Sequence, residues 1–309
     1  MSEITIPKVE KTDIKAPEIK AGGTAIVFQR HEKYNRDRSA EDAGSISAES
    51  AEITRQNDAI FFEDLITQEQ SDGVETVVLF VSSDTQYAGK GYRSMETGQL
   101  AQDAAMDVFI EAGIDPAERI INFNPDFSTS DFDATGQAIR PMKGMVEPKI
   151  FDDTPDFVKD LGRKYNPPEV QADIDARRTD VQLSPQAFGA YEADEPGVQE
   201  LREIHGAEGV HDIVDRTKKS LRVLERYSRI FHAMNPNKRL VIWATSHYDT
   251  ISPLVKDATG AEFSEYVPVD YGAGVVIDIA PGGGEVTLEA QGARVALNLG
   301  KLGVIAAEH

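Results

Sequence analysis

Three stretches place groups suited to phosphoryl-transfer chemistry directly behind runs of apolar residues. Arg30-His31-Glu32-Lys33 follows AIVFQ, the loop from Ser82 to Arg93 follows ETVVLFV, and His247-Tyr248-Asp249 follows RLVIWATS. Guanidinium groups bind phosphoryl oxygens through paired hydrogen bonds. A neutral imidazole oriented through its other nitrogen can act as nucleophile, and a carboxylic acid or second histidine can protonate the leaving oxygen. Any one of these stretches alone is a weak motif. Two histidines and two arginines meet only if the apolar runs are neighbouring strands, because open α/β sheets bind ligands outside the carboxyl ends of their strands.

The elements that would position them alternate along the chain. TAIVFQ, ETVVLFVS and RLVIWAT are short unbroken apolar runs, which suit strands covered on both faces. Between them, SAESAEITRQNDAIFFEDLITQ carries Ile53, Ile60, Phe61 and Leu65 at helical spacing, with Ser47 and Ser50 as N-caps. METGQLAQDAAMDVFIEAG reads as a second helix that stops before Pro116, and Arg119–Phe123 as a further strand. Gly206–Met234 reads as one amphipathic helix with Val210, Ile213, Val214, Leu221, Leu224 and Ile230 on one side. ISPLVKDAT starts another helix, and two β-rich runs flanking Gly282-Gly283-Gly284 form a hairpin. The expected fold is an open three-layer α/β/α sandwich with a mostly parallel central sheet. Residues 1–22 alternate charge and proline and read as a flexible or loosely docked arm; residues 23–309 form the domain. Within it, prolines at 141, 148, 155, 167, 168, 185 and 196 interrupt short charged helical pieces, so about 128–205 reads as an inserted cap.

Composition narrows the partners. The chain has 53 acidic against 32 basic residues and a formal charge of −21, which repels a phosphate backbone and makes nucleic acid an unfavourable partner. A small anionic substrate then requires arginines to be concentrated locally. With no cysteine, disulfides, thiol nucleophiles and cysteine-ligated zinc are excluded. No stretch approaches the apolar length needed to span a bilayer, and the N-terminus lacks the apolar core of a secretion signal. A soluble cytoplasmic protein is expected, with no membrane partner and its oligomeric state open. No catalytic metal or cofactor is expected: His205 and His211 lie six residues apart rather than at the i, i+4 spacing that faces two ligands together. The Gly282–Gly284 run lacks the Lys-Ser/Thr of a phosphate-binding loop.

The three stretches together resemble the histidine phosphatase superfamily, also called the phosphoglycerate mutase-like group. Arg30-His31-Glu32 is similar to its Arg-His-Gly motif, and Asn35 lies near a further polar motif position. Ser82-Ser83-Asp84 with Tyr92 through Gly98 resembles its Ser-rich loop, arginine and helix start, and Thr245-Ser246-His247-Tyr248-Asp249 resembles its Ser-His-Gly block. Gly206-Ala207-Glu208 through Arg216 is similar to the helix before that block. The likeness spans about Ala21 to Leu254, and Glu32 and Tyr248 stand where the family carries glycine. It implies a phosphatase acting on a small phosphorylated substrate, with a phosphoglycerate mutase-type transferase or a catalytically inactive phosphate-binding scaffold as alternatives. His31 would be the nucleophile that forms a phosphohistidine, and Arg30, Arg93 and His247 would bind the phosphoryl group, with Asn35 nearby. The general acid would be Asp126, with Asp249 and then Glu118 as alternatives.

Overall fold

Runs rich in Val, Ile, Leu and Phe form the centre of the sheet because branched and aromatic side chains pack well on a pleated surface buried on both sides. The computed structural model of the chain describes residues 14–37, 39–87, 90–121, 140–141, 155–170, 183–263, 267, 269–283, 285–290 and 293–299. Its strands are β1 (Thr24–Arg30), β2 (Thr76–Ser82), β3 (Arg140–Pro141), β4 (Arg239–Ser246), β5 (Gly274–Ile279), β6 (Val286–Ala290) and β7 (Ala293–Ala296). They form one sheet in the order β3-β2-β4-β1-β5-β6-β7. β3, β2, β4 and β1 run parallel, whereas β5, β6 and β7 are antiparallel to their neighbours. The fold is therefore mixed α/β, with an antiparallel half larger than the one expected hairpin. Gly282 and Gly283, at φ of 84° and 70°, make the β5–β6 turn.

The helices are α1 (Ala48–Asp72), α2 (Arg93–Glu111), α3 (Pro116–Arg119), α4 (Pro155–Tyr165), α5 (Pro185–Glu192), α6 (Pro196–His205), α7 (Val210–Met234) and α8 (Tyr248–Thr259). Alternate strand residues feed two clusters. Ala25, Val27, Val78, Phe80, Val241 and Trp243 pack with Phe61 and Phe62 of α1 and Phe109 of α2. Ile26, Phe28, Leu79 and Ile242 pack instead with Leu221 and Leu224 of α7 and Ile251 and Leu254 of α8. Ile14 and Ile19, from the expected arm, are buried in the first cluster. Among the described residues no helix is long and apolar enough to cross a membrane.

Several expected boundaries moved for identifiable reasons. The strand expected at Arg119–Phe123 does not form over its described part: Asp115 caps a turn that Pro116 opens, placing Arg119 in α3 and leaving a single bridge from Ile120 to Val78. The helix expected from Gly206 starts at Val210, because Gly206 adopts φ 66° and ends α6, while Asp212 accepts the Gly209 N–H at 2.9 Å. Ile230, expected on its apolar face, is 52% exposed. Within the region expected to be inserted, Pro155, Pro185 and Pro196 open helices rather than interrupt them, since the first helical N–H has no intrahelical partner to lose. Phe157, Leu161, Tyr191 and Val198 of these helices share a separate cluster with Ile213 of α7.

Trp243 packs against the rings of Phe61 and Phe62, each centroid 5.2 Å away, and those two rings meet each other at 5.5 Å. Phe62 is fully buried, so Phe62→Ala is expected to cost about 3–5 kcal/mol through lost burial and an unfilled cavity. Urea unfolding should show a lower midpoint with an unchanged m-value.

Candidate functional site

Parallel pairing brings the ends of β1, β4 and β2 level with one another. Arg30 pairs with Ser246 and Ser82 with Thr245, so the next residues, His31, His247 and Ser83, leave the sheet together. The His31 N–H donates to the Ser246 carbonyl at 2.8 Å and the Ser83 N–H to the Thr245 carbonyl at 2.9 Å. The two imidazole centroids lie 5.2 Å apart. Arg93, the first residue of α2, completes the cluster by donating its Nε–H to His31 Nε2 at 3.2 Å.

His31 has a defined tautomer. Its Nδ1 lies 2.8 Å from the Glu32 carbonyl, which only accepts, so Nδ1 carries the proton. Nε2, facing an arginine that only donates, carries the lone pair. Burial, then Arg93, His247 and Arg30, hold the His31 pKa well below the usual 6.5. Burial, then Arg93, Arg30 and Arg216, do the same for His247. His247 caps α8, its Nε2 is 3.0 Å from Ser83 Oγ and 3.5 Å from Ser94 Oγ, and its buried Nδ1 has no partner among the described residues.

The arginines are held by aromatic rings and carbonyls. Arg30 donates to the Val269 carbonyl, and its guanidinium lies 3.8 Å from the Tyr271 ring centroid and 5.5 Å from that of Tyr248. Arg93 lies 4.6 Å from the Tyr34 ring and 5.0 Å from that of Tyr87. Arg36 donates to the Tyr271 hydroxyl. Arg216 reaches the surroundings of His247 while making a two-pronged ion pair with Glu208, at 2.7 and 3.0 Å. A strongly acidic chain thus concentrates positive charge at this sheet edge.

Thr97, which lies in the Tyr92–Gly98 motif block but was given no role by the sequence, ties the parts together. Its hydroxyl donates to the Arg93 carbonyl and accepts the Glu32 N–H, both at 2.8 Å, joining the loop after β1 to the start of α2. Glu32, standing where a glycine was the reference, turns its carboxylate toward α1: one oxygen accepts from the Thr54 hydroxyl and the other from the Lys33 N–H at 2.8 Å.

The other sequence candidates are placed differently. The Asn35 amide is used inside its own loop, with Nδ2 donating to Asp42 at 2.8 Å and Oδ1 accepting the Asp37 N–H at 2.9 Å, as short polar side chains do in turns. Glu118 is exposed on α3, which packs at the start of β2, the end of the sheet away from His31. Asp249 lies in the first turn of α8, and its charge, after burial, helps raise the pKa of Tyr191 in α5 well above 10. Asp126 lies outside the described residues. Tyr271 escaped notice because no local spacing links it to His31. It arrives because β5 runs antiparallel to β1 with Gly274 opposite Gln29, which delivers the preceding loop to the same edge. A surface cleft of about 410 Å³ at the other end of the sheet, lined by Ala21, His232, Pro236 and Gly282 among others, shares no residue with the histidine pair. Among the described residues no group of three or more His, Asp or Glu side chains is arranged to hold a metal ion.

Neither a protein-family model nor a curated protein matches the chain. The solved structures it is similar to include the phosphoglycerate mutase of Bacillus anthracis str. Sterne, at 13% identity and a TM-score of 0.45, over 92% of this chain and 96% of that one. They also include a Bifidobacterium longum multiple inositol polyphosphate phosphatase, at 11% identity and a TM-score of 0.46, over 94% and 91%. A mycobacterial glucosyl-3-phosphoglycerate phosphatase is 14% identical with a TM-score of 0.38, over 82% and 90%. Any function is therefore argued from the clustered residues themselves.

Two measurements test this geometry. The unfolded chain protonates its histidines below about pH 6.5, while folded His31 and His247 resist protonation; their contribution to stability is thus present above that value and lost as pH falls below it. The melting temperature should drop between about pH 7 and 5.5, with a shallower drop in His247→Gln; an unchanged slope would show that the imidazoles do not carry the effect. Thr97→Val leaves the buried Glu32 N–H without its acceptor and is expected to cost about 1–3 kcal/mol in chemical denaturation.

Proposed function

We propose that the chain is a metal-independent phosphomonoesterase that works through a phosphohistidine on His31. The observation carrying this reading is the buried imidazole whose Nδ1–H is anchored on the Glu32 carbonyl and whose Nε2 lone pair meets Arg93. Such an imidazole is oriented, uncharged and flanked by cations, as a nucleophile toward a phosphate dianion must be.

In the proposed reaction the Nε2 lone pair attacks phosphorus in line, and the bond to the leaving oxygen breaks with its electron pair on that oxygen. Arg93 redirects its N–H from Nε2 to a phosphoryl oxygen, Arg30 binds a second, and the Nδ1 of His247, without a partner among the described residues, takes the proton of the incoming phosphoester monoanion and donates it to the third, while its Nε2–H donates to Ser83, whose own proton is given to Thr85. An acid protonates the leaving oxygen, then takes a proton from the water that attacks phosphorus, and the P–N bond electrons return to Nε2. We assign the acid to Asp126 by resemblance, with Asp249, two residues after His247, as the alternative. Asn35 and Glu118 have no part in this scheme. Residues from about 128 to 205 are assigned as a cap over the site, and the enzyme to the cytoplasm.

The test is hydrolysis of a phosphoester panel by the intact protein and by His31→Ala, with trapping of acid-labile phosphate on His31. At least a thousandfold loss in His31→Ala, on the order of a removed nucleophile, is expected. No turnover by the intact protein removes the enzyme reading in favour of a phosphate-binding scaffold. Interconversion of phosphoglycerates without phosphate release would establish the mutase instead. Removing the true acid, by Asp126→Asn or Asp249→Asn, should slow alkyl esters more than 4-nitrophenyl phosphate, whose leaving group needs no proton.

A further inference from the structure

Five aromatic rings from five separate stretches of chain converge on His31 and its arginines. Tyr34 follows β1, Tyr87 follows β2, Tyr248 opens α8, Tyr271 precedes β5 and Phe188 comes from α5. The Tyr34 ring stands 5.2 Å from the His31 ring and the Tyr271 ring 5.7 Å from it. Tyr87 meets Tyr34 edge-on at 4.9 Å, and Phe188 backs Tyr248 at 6.0 Å. The hydroxyl of Tyr248 is held at 3.4 Å from Glu192, itself paired with buried Lys256 at 3.0 Å. The loop bearing Tyr271 is fixed by the Gln29 side chain on the Gly272 carbonyl and by the Arg30 N–H on the Ala273 carbonyl, at 3.0 and 2.7 Å.

These rings differ from core aromatics. Phe61, Phe62 and Trp243 are fully buried, whereas all five collar rings keep part of their surface exposed. His31 is only 4% exposed and has the rings of Tyr34 and Tyr271 against it, with Arg36 near both, so an ester bound at Nε2 has aromatic surface beside its leaving group. Ring edges carry positive and ring faces negative partial charge, so a collar of this kind favours a planar aromatic group in edge or offset contact. We propose that the site selects phosphomonoesters whose leaving group is an aromatic ring over those of aliphatic polyols. The proposal rests on the phosphomonoesterase reading and deepens it.

The test compares kcat/KM for phenyl phosphate and 2-glycerol phosphate in the intact protein, Tyr34→Phe, Tyr34→Leu and Tyr87→Leu. Dividing each variant's aryl-to-alkyl ratio by that of the intact protein removes the greater intrinsic reactivity of aryl esters. Each lost ring contact should lower the ratio by roughly two- to tenfold in the leucine variants, while Tyr34→Phe, which keeps the ring, retains it. An unchanged ratio in both leucine variants overturns the proposal and leaves phosphomonoesterase activity standing. Binding supplies a readout that needs no turnover: calorimetry should show phenylphosphonate binding the intact protein at least roughly fivefold tighter than methylphosphonate. Equal binding overturns the proposal, whereas a phenyl preference without turnover of any ester keeps the collar and removes the parent reading.

Discussion

The parallel register of β1 against β4 is the constraint on which the rest of this structure depends. Side chains alternate along a strand, so a slip of one residue would turn every apolar side chain of β1 to the wrong face. The two clusters on either side of the sheet make that slip costly: Ile26 and Phe28 belong to one, Ala25 and Val27 to the other. Holding Arg30 opposite Ser246 then fixes where His31 and His247 emerge, through the hydrogen bond from His31 to the Ser246 carbonyl. Core packing and the geometry of the proposed site are thus one requirement met by the same backbone bonds.

Around that edge the chain sets local charge against its overall charge. With a net charge of −21, the molecule as a whole repels anions, yet Arg30, Arg36, Arg93 and Arg216 gather where the strands end. Rings and carbonyls orient Arg30 without neutralising it, which a carboxylate partner would do. The same cations and the surrounding burial keep both imidazoles uncharged. Glu32, which would weaken such a site if its carboxylate faced the histidines, is instead bound to Thr54 of α1. A side chain that reads as an obstacle in one dimension becomes an anchor between the loop and the helix.

Legibility differed from residue to residue in ways that have physical causes. Ser47 was readable as the cap of α1 because capping is local, and its hydroxyl accepts the Ser50 N–H at 3.2 Å. The prolines at 155, 185 and 196 were misjudged as interruptions because a proline stops a helix behind it and permits one ahead of it. Arg119–Phe123 looked like a strand by its apolar residues, but the Asp115-Pro116 start signal dominated its first half. Asn35 matched a motif position, and its amide nonetheless found nearer partners in Asp42 and Asp37.

By itself the sequence determined the buried strands, most helices, the positions of Arg30, His31 and His247 at or just beyond strand ends, and that of Arg93 where the loop after a strand gives way to a helix, because these follow from apolar runs and the polar residues that terminate them. Only the tertiary structure decided that these residues face one another, that Thr97 couples two of the segments, and that tyrosines from distant loops surround them. The reason is that side-chain patterning records which face of an element is buried, whereas the order of strands and their register record which ends are neighbours. Tyr271 illustrates the difference: more than two hundred residues separate it from His31, and the pairing of β5 with β1 places their rings 5.7 Å apart.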